Sequence, residues 1–238
     1  MLKASDLFDL NRVSIADLFE GTTYVWEAIP RIAPYIQARL SSDRPANGEA
    51  YPVHSSVVIG AGVHIGEGTQ IDPGVYIEGP ALIGKNCHIR HGAYVRSNTI
   101  LCDGGLIGHA TETKNAILLE GSSATHFAYV GDSILGRDVN LGAGVKLSNF
   151  AVTAGGQHGQ RHTIKLLHEG EVLDTGLVKI GAIIGDNTQL GCNAVCNPGV
   201  IIGRDTLVYA LASLNKGIYP ARSVIKLRQT LETVDRRF

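Results

Sequence analysis

Aliphatic residues return at every sixth position from Ile59 to Ile107, as Ile59, Ile65, Ile71, Ile77, Ile83, Ile89, Val95, Leu101 and Ile107. That period matches neither the turn of an α-helix nor the alternation of an ordinary strand. It is the pattern of a parallel β-helix, in which each hexad makes one face of a triangular coil and three hexads close a turn. The pattern runs on to Leu119, with Thr113 in one inward place, then slips by one residue between 125 and 135 and resumes as Leu135, Leu141 and Leu147. It returns without slippage at Ile184, Leu190, Cys196, Ile202, Val208 and Leu214.

Between these runs, residues 150–180 leave the hexad. A glycine-rich AGGQHGQRH segment precedes TIKLLHEGEVLDTGLVKIG, which reads as two strand-like runs joined around Glu169-Gly170. The first fifty residues do not repeat. Ser5–Leu10 and Ser14–Phe19 suit short helices, and the apolar spacing of Thr22–Leu40 is helical, with breaks expected at Pro30 and Pro34. The expected organisation is a helical cap or linker over 1–50, a β-helix over 51–218 with an extruded loop and hairpin at 150–180, and a C-terminal tail or helix over 219–238. The fold class is an all-β solenoid, whose lateral faces need cover; several copies side by side would supply it.

Composition agrees with narrow coils. Hydrophobic residues make up 44% of the 238, aromatics only 6%, and 29 are glycine. A net charge of −1 advertises neither a nucleic-acid nor a membrane surface, so any charge function is local. No signal peptide is expected at the start of the chain. The four cysteines, Cys87, Cys102, Cys192 and Cys196, lack a paired zinc spacing, and a reducing cytoplasm is expected.

The repeat is spoiled in one region. Positions after the inward aliphatics begin small, as Gly60, Gly66 and Gly84, but include Arg90, Arg96, Lys114, Glu120 and His126 further on. One coil of eighteen residues stacks Glu78, Arg96 and Lys114 in a column. Like charges one strand apart repel, so the pair Arg96 and Lys114 calls for an anion such as phosphate, or for neutralisation by Glu78 or Glu112. His126, after a Thr125 read as inward-facing, is a candidate general base, since imidazole titrates nearest neutrality. The spacing of His158, His162 and His168 is a poor metal signature, and no metal is expected. Motifs for nucleotide hydrolysis, serine hydrolysis and zinc proteolysis are lacking.

At these residues the chain resembles the hexapeptide-repeat acyltransferases with a left-handed β-helix. In particular, it resembles the C-terminal acetyltransferase domain of the bifunctional glucosamine-1-phosphate acetyltransferase/N-acetylglucosamine-1-phosphate uridylyltransferases and related sugar-1-phosphate nucleotidylyltransferases. The family pattern GHxxYxGD, NxGAG and a following Asn stands here as THFAYVGD, NLGAG and SNF. The resemblance implies acetyl transfer from acetyl-CoA to the amine of an amino-sugar phosphate, with His126 as base. Arg96, Lys114, Tyr129, Asn140 and Asn149 would bind the sugar phosphate or nucleotide sugar, with Lys165 standing in for a family lysine. Ala143, Cys192 and Ala210 would line an acetyl-CoA cleft between subunits of a homotrimer. Cys192 stands where the bifunctional enzymes carry Ser, and Phe150 where they carry Tyr. The nucleotidylyltransferase domain is expected to be absent. The alternative is a non-catalytic trimer that keeps sugar-nucleotide binding or only the scaffold.

Overall fold

A computed structural model describes residues 2–42, 53–151, 162–232 and 234–236. Strands of two to four residues form three eight-stranded parallel sheets, each collecting one strand from every coil. On the first face Ile59, Ile77, Val95, Thr113, Val130, Leu147, Cys196 and Leu214 stack inward. The second face stacks Ile65, Ile83, Leu101, Leu118, Leu135, Ile184, Ile202 and Tyr219. The third stacks Ile71, Ile89, Ile107, Ala124, Leu141, Leu190, Val208 and Ile225. Burying each such Ile or Leu contributes about 1.5–3 kcal/mol, and their alignment coil upon coil makes one continuous core. Thr113 is fully buried there, its hydroxyl 3.2 Å from that of Thr99.

Two assignments from the periodicity are corrected. Between Ile107 and Leu147 the register shortens twice, between Thr113 and Leu118 and again between Val130 and Leu135, instead of once between 125 and 135. Leu118 and Ala124 therefore face inward where Leu119 and Thr125 were expected. Leu119 turns outward into a second apolar layer, and Thr125 donates its hydroxyl to the Leu141 carbonyl at 2.9 Å. His126 thus lies two positions after an inward residue, at a corner.

That second layer explains the N-terminal segment. Outward residues Ile100, Ile117, Ile134, Ile183 and Ile201 of the second face are buried beneath Leu7, Phe8, Trp26, Ile29, Ile32 and Ile36. An α-helix at Ala4–Leu7 and 3-10 turns at Leu10–Arg12, Ala16–Phe19 and Val25–Arg31 lead into a helix at Ile32–Ser42. Pro30 sits within the last 3-10 turn. Pro34 does not break the helix, because its missing N–H falls in the first turn, where no intrahelical acceptor exists. Polar pins hold the segment down: Asp186 accepts N–H bonds from Asp9 and Arg137, each at 2.8 Å, and Glu120 accepts one from Ser14 at 2.7 Å. Burial raises the Asp186 pKa, opposed by those two N–H groups.

Strands Lys165–His168 and Glu171–Asp174 form the antiparallel hairpin, turning at Glu169-Gly170, both at positive φ. Ile164 and Leu166 join the same apolar layer. The solenoid continues through Gly217–Tyr219 and Val224–Ile225, beyond the boundary expected at 218, and residues 226–232 and 234–236 form no helix. AGGQHGQRH lies almost wholly outside the described residues.

The edges are unequal. Steps from the second face to the third and from the third to the first are always six residues. The edge from first to second face holds every departure: Thr113 to Leu118, Val130 to Leu135 and Leu214 to Tyr219 take five, and Leu147 to Ile184 carries the insertion.

Candidate active site

The edge from third to first face stacks His91, His109, His126, Ala143, Cys192 and Ala210, each preceding a residue at positive φ. A backbone ladder ties the corner: Phe127 N–H donates to the His109 carbonyl at 2.7 Å, Gly144 to His126 at 3.0 Å, Asn193 to Ala143 at 2.8 Å and Leu211 to Cys192 at 2.9 Å. Hydrogen bonding divides the three histidines. The rings of His91 and His109 stack at 5.6 Å, with Nδ1 against the carbonyls of Pro73 and His91 respectively. The exposed His126 ring has no hydrogen-bond partner among the described residues, so both nitrogens are available. Phe127 beside it is held at φ 35° and half exposed. Lys146 Nζ steadies this corner by donating to the carbonyls of Phe127 at 3.1 Å and Gly144 at 2.7 Å.

Across the first face, Glu78, Arg96 and Lys114 share a column as the period implies. Arg96 donates to Glu112 Oε1 at 2.9 Å, and its Nε lies 3.9 Å from Glu78 Oε2. Glu112, as hydrogen-bond partner, raises the Arg96 pKa. Internal neutralisation, the alternative left open by the sequence, thus holds for Arg96 in this structure. Lys114 has no ion pair among the described residues.

Beside the column, Asp132 is a hub. It is 6% exposed and accepts amide N–H groups from Asn115, at 2.8 Å, and from Asn149. Its backbone joins Lys114 and Gly181 through two further bonds. Tyr129 stands alongside with its pKa raised, chiefly by burial and then by the charges of Glu112 and Asp132, against Arg96 and a hydrogen bond from Asn149. Gly131 makes this cluster possible. A Cβ there would fall 2.6 Å from the Tyr129 hydroxyl and 2.8 Å from Asn149 Nδ2.

The structure therefore gathers Arg96, Lys114, Tyr129 and Asn149 on the first face, and His126 with Ala143, Cys192 and Ala210 along its leading edge. Asn140 lies apart on the third face, where its Oδ1 accepts from Ser123 at 2.9 Å. Lys165 is on the hairpin, 3.9 Å from Asp174. Sequence reasoning missed Asp132, Asn115 and Lys146. Asp132 ends the motif THFAYVGD, and Lys146 is the strand neighbour of Tyr129. Among the described residues no group of three or more His, Cys, Asp or Glu side chains is arranged to hold a metal, and His158 lies outside them.

Residues 62–97 match the family described as bacterial transferase hexapeptide (six repeats). A bifunctional sugar-1-phosphate nucleotidylyltransferase/acetyltransferase of Sulfurisphaera tokodaii is 36% identical over 166 residues, covering 70% of this chain and 40% of that protein. The bifunctional protein GlmU of Methanococcus aeolicus is 31% identical over 78% of this chain and 43% of its own length. GlmU of Pelobacter propionicus is 26% identical over 82% and 45%. The chain spans less than half the length of these curated relatives. Repeat and fold together show a parallel β-helix of hexapeptide repeats, similar over 70% of its length to part of a bifunctional sugar-1-phosphate nucleotidylyltransferase/acetyltransferase.

Proposed function

We propose that the chain is an N-acetyltransferase that moves acetyl from acetyl-CoA to the amine of an amino-sugar phosphate. The observation that carries this is the leading edge of the first face, where an unengaged His126 heads a column of Ala143, Cys192 and Ala210. Small side chains there leave room for a long thin ligand beside the base. Lys114, Tyr129 and Asn149 stand on the adjoining face for the acceptor. His126 takes the proton from the amine as nitrogen attacks the thioester carbonyl. The C–N bond forms, the C–S bond breaks, and the coenzyme A sulfur leaves with a proton. Backbone amides stabilise the tetrahedral oxyanion.

The same reading makes the protein a cytoplasmic homotrimer, in which a neighbouring copy walls the acetyl-CoA cleft and brings Asn140 to the acceptor. It also makes 1–50 a cap and the β-helix the catalytic unit. The test is His126→Ala, expected to lower turnover by roughly 10²- to 10⁴-fold with folding unchanged. Turnover within a few-fold of wild type on every accepted amine refutes the role. The neutralised Arg96 favours the scaffold alternative, and calorimetry separates the two: a scaffold binds no acetyl-CoA.

A further inference from the structure

The corner that carries His126 takes a residue of positive φ from each successive coil, and most coils fill the place as sterics dictate. Gly74, Gly92, Ala110, Gly144 and Asn193 are small or have a side chain that tolerates the left-handed region. Phe127 and Leu211 break this rule. They stand at φ 35° and 63°, and Phe127 is the one aromatic at positive φ among the described residues. Burial does not offset the strain, because the two side chains are 51% and 53% exposed. Strain of this kind persists where it serves a site.

Their places in the column are particular. Phe127 directly follows His126 and Leu211 directly follows Ala210, so they flank both ends of the row His126, Ala143, Cys192 and Ala210. From Phe127 to Leu211 is three coils, about 14 Å at the usual strand spacing. The Phe127 ring is not turned away into solvent: its centroid is 6.1 Å from that of His126, and its Cε2 lies 3.7 Å from where a Cβ on Gly144 would be. It therefore leans along the corner toward the coil of Ala143. The turn is fixed on both sides of the strained residue, since the Phe127 N–H donates to the His109 carbonyl at 2.7 Å and its carbonyl accepts from Lys146 Nζ at 3.1 Å. Between the two apolar side chains stands the exposed amide of Asn193, which also reaches over Gly144.

We propose that Phe127 and Leu211 are apolar posts for the pantetheine arm of the acyl-CoA donor, with the Asn193 amide between them. The chemistry of the arm runs in the same order: an apolar thioethyl group at the sulfur, two amides, then a geminal dimethyl group before the phosphate. The sulfur end belongs beside His126, which sets the thioethyl group on Phe127, the amides by Asn193 and the dimethyl group on Leu211. Each post is held in place by its own backbone, so little freedom is lost on binding. The inference rests on the acetyl-transfer reading, and it names contacts that the row of small residues does not provide.

The test is Phe127→Asn/Leu211→Asn in the full chain, because Asn already occupies this conformation at position 193. With strain relieved and little burial lost, the melting temperature should stay within about 4 °C of wild type. Calorimetry should show the dissociation constant of acetyl-CoA raised about tenfold or more, whereas Phe127→Leu alone, which keeps an apolar post, should stay within about threefold of wild type. Adenosine bisphosphate, the nucleotide end of CoA without the arm, should show the same affinity for wild type and double variant. Acetyl-CoA affinity within about threefold of wild type in the double variant overturns the proposal, as does an equal loss of affinity for adenosine bisphosphate. A change of oligomeric state in light scattering overturns it too, by making the two side chains interface residues. A wild-type chain that binds no acetyl-CoA overturns the acetyl-transfer reading as well. Full turnover in His126→Ala, with acetyl-CoA binding lost only in the double variant, refutes the base and supports the posts.

Discussion

Asp132→Asn isolates the contribution of a buried carboxylate that has no ion pair among the described residues. Asp132 sits at φ 45°, a conformation that Asn adopts at least as readily, so the substitution leaves the backbone unstrained. The change is confined to hydrogen bonding. In the wild type the two carboxylate oxygens accept N–H groups from Asn115 and Asn149. The amide retains one acceptor and sets an NH2 group against one of those NH2 groups. One bond to a charged acceptor is lost, about 1.5–3 kcal/mol, and a buried donor faces a donor. Destabilisation of about 2–3 kcal/mol should lower the melting temperature by roughly 4–12 °C for a chain of this size. Differential scanning calorimetry reads this directly, and urea titration checks it independently of heat. Asn149 is the group released, so acetyl transfer should fall more steeply than stability, with the effect on acceptor KM. A melting temperature within 1 °C of wild type and an unchanged KM would show that the hub holds nothing.

Two further outcomes follow from close packing and from burial. A Cβ at Gly108 would lie 1.7 Å from the Thr125 carbonyl oxygen, a backbone atom that cannot swing aside, so Gly108→Ala should cost more than about 3 kcal/mol or prevent folding; a soluble variant with wild-type melting refutes the register. Burial raises the thiol pKa of Cys87 and Cys102, and pushes Cys196 up to about 12, which disfavours their thiolates near neutrality, while Cys192 alone among the four is exposed. Ellman's reagent at pH 8 should therefore titrate one thiol in the folded chain and four in denaturant, and rapid reaction of a second folded thiol contradicts the packing.

The inward ladder was legible because stacking forces one aliphatic per face, and a six-residue beat has no other source in a folded chain. Misreading began at Leu118-Leu119. Both are aliphatic, and periodicity cannot tell a shortened corner from an unbroken hexad when the next residue also satisfies it. The doublets Ile100-Leu101, Ile117-Leu118, Ile134-Leu135, Ile183-Ile184 and Ile201-Ile202 did carry an unread signal. A strand apolar on both sides is covered on both sides, and only the second face shows this throughout its middle coils. That face is where the N-terminal segment lies. The motif residues His126, Tyr129 and Asn149 were visible from the resemblance. The pairing of Arg96 with Glu112 was visible only as one of two options, because a column of charges does not say which acid on the neighbouring strand reaches it.

All the length variation of this solenoid falls on one of its three edges. The other two keep a constant step, so they act as rails that preserve the stacking while the third absorbs shortening, lengthening and a thirty-residue excursion. Chain can therefore be added or removed along that edge without shifting any strand by even one residue against its neighbours. For a designer, that edge is the place to graft a new acceptor loop. For the protein, it is where the chain can change while the His126 column on another edge stays in place.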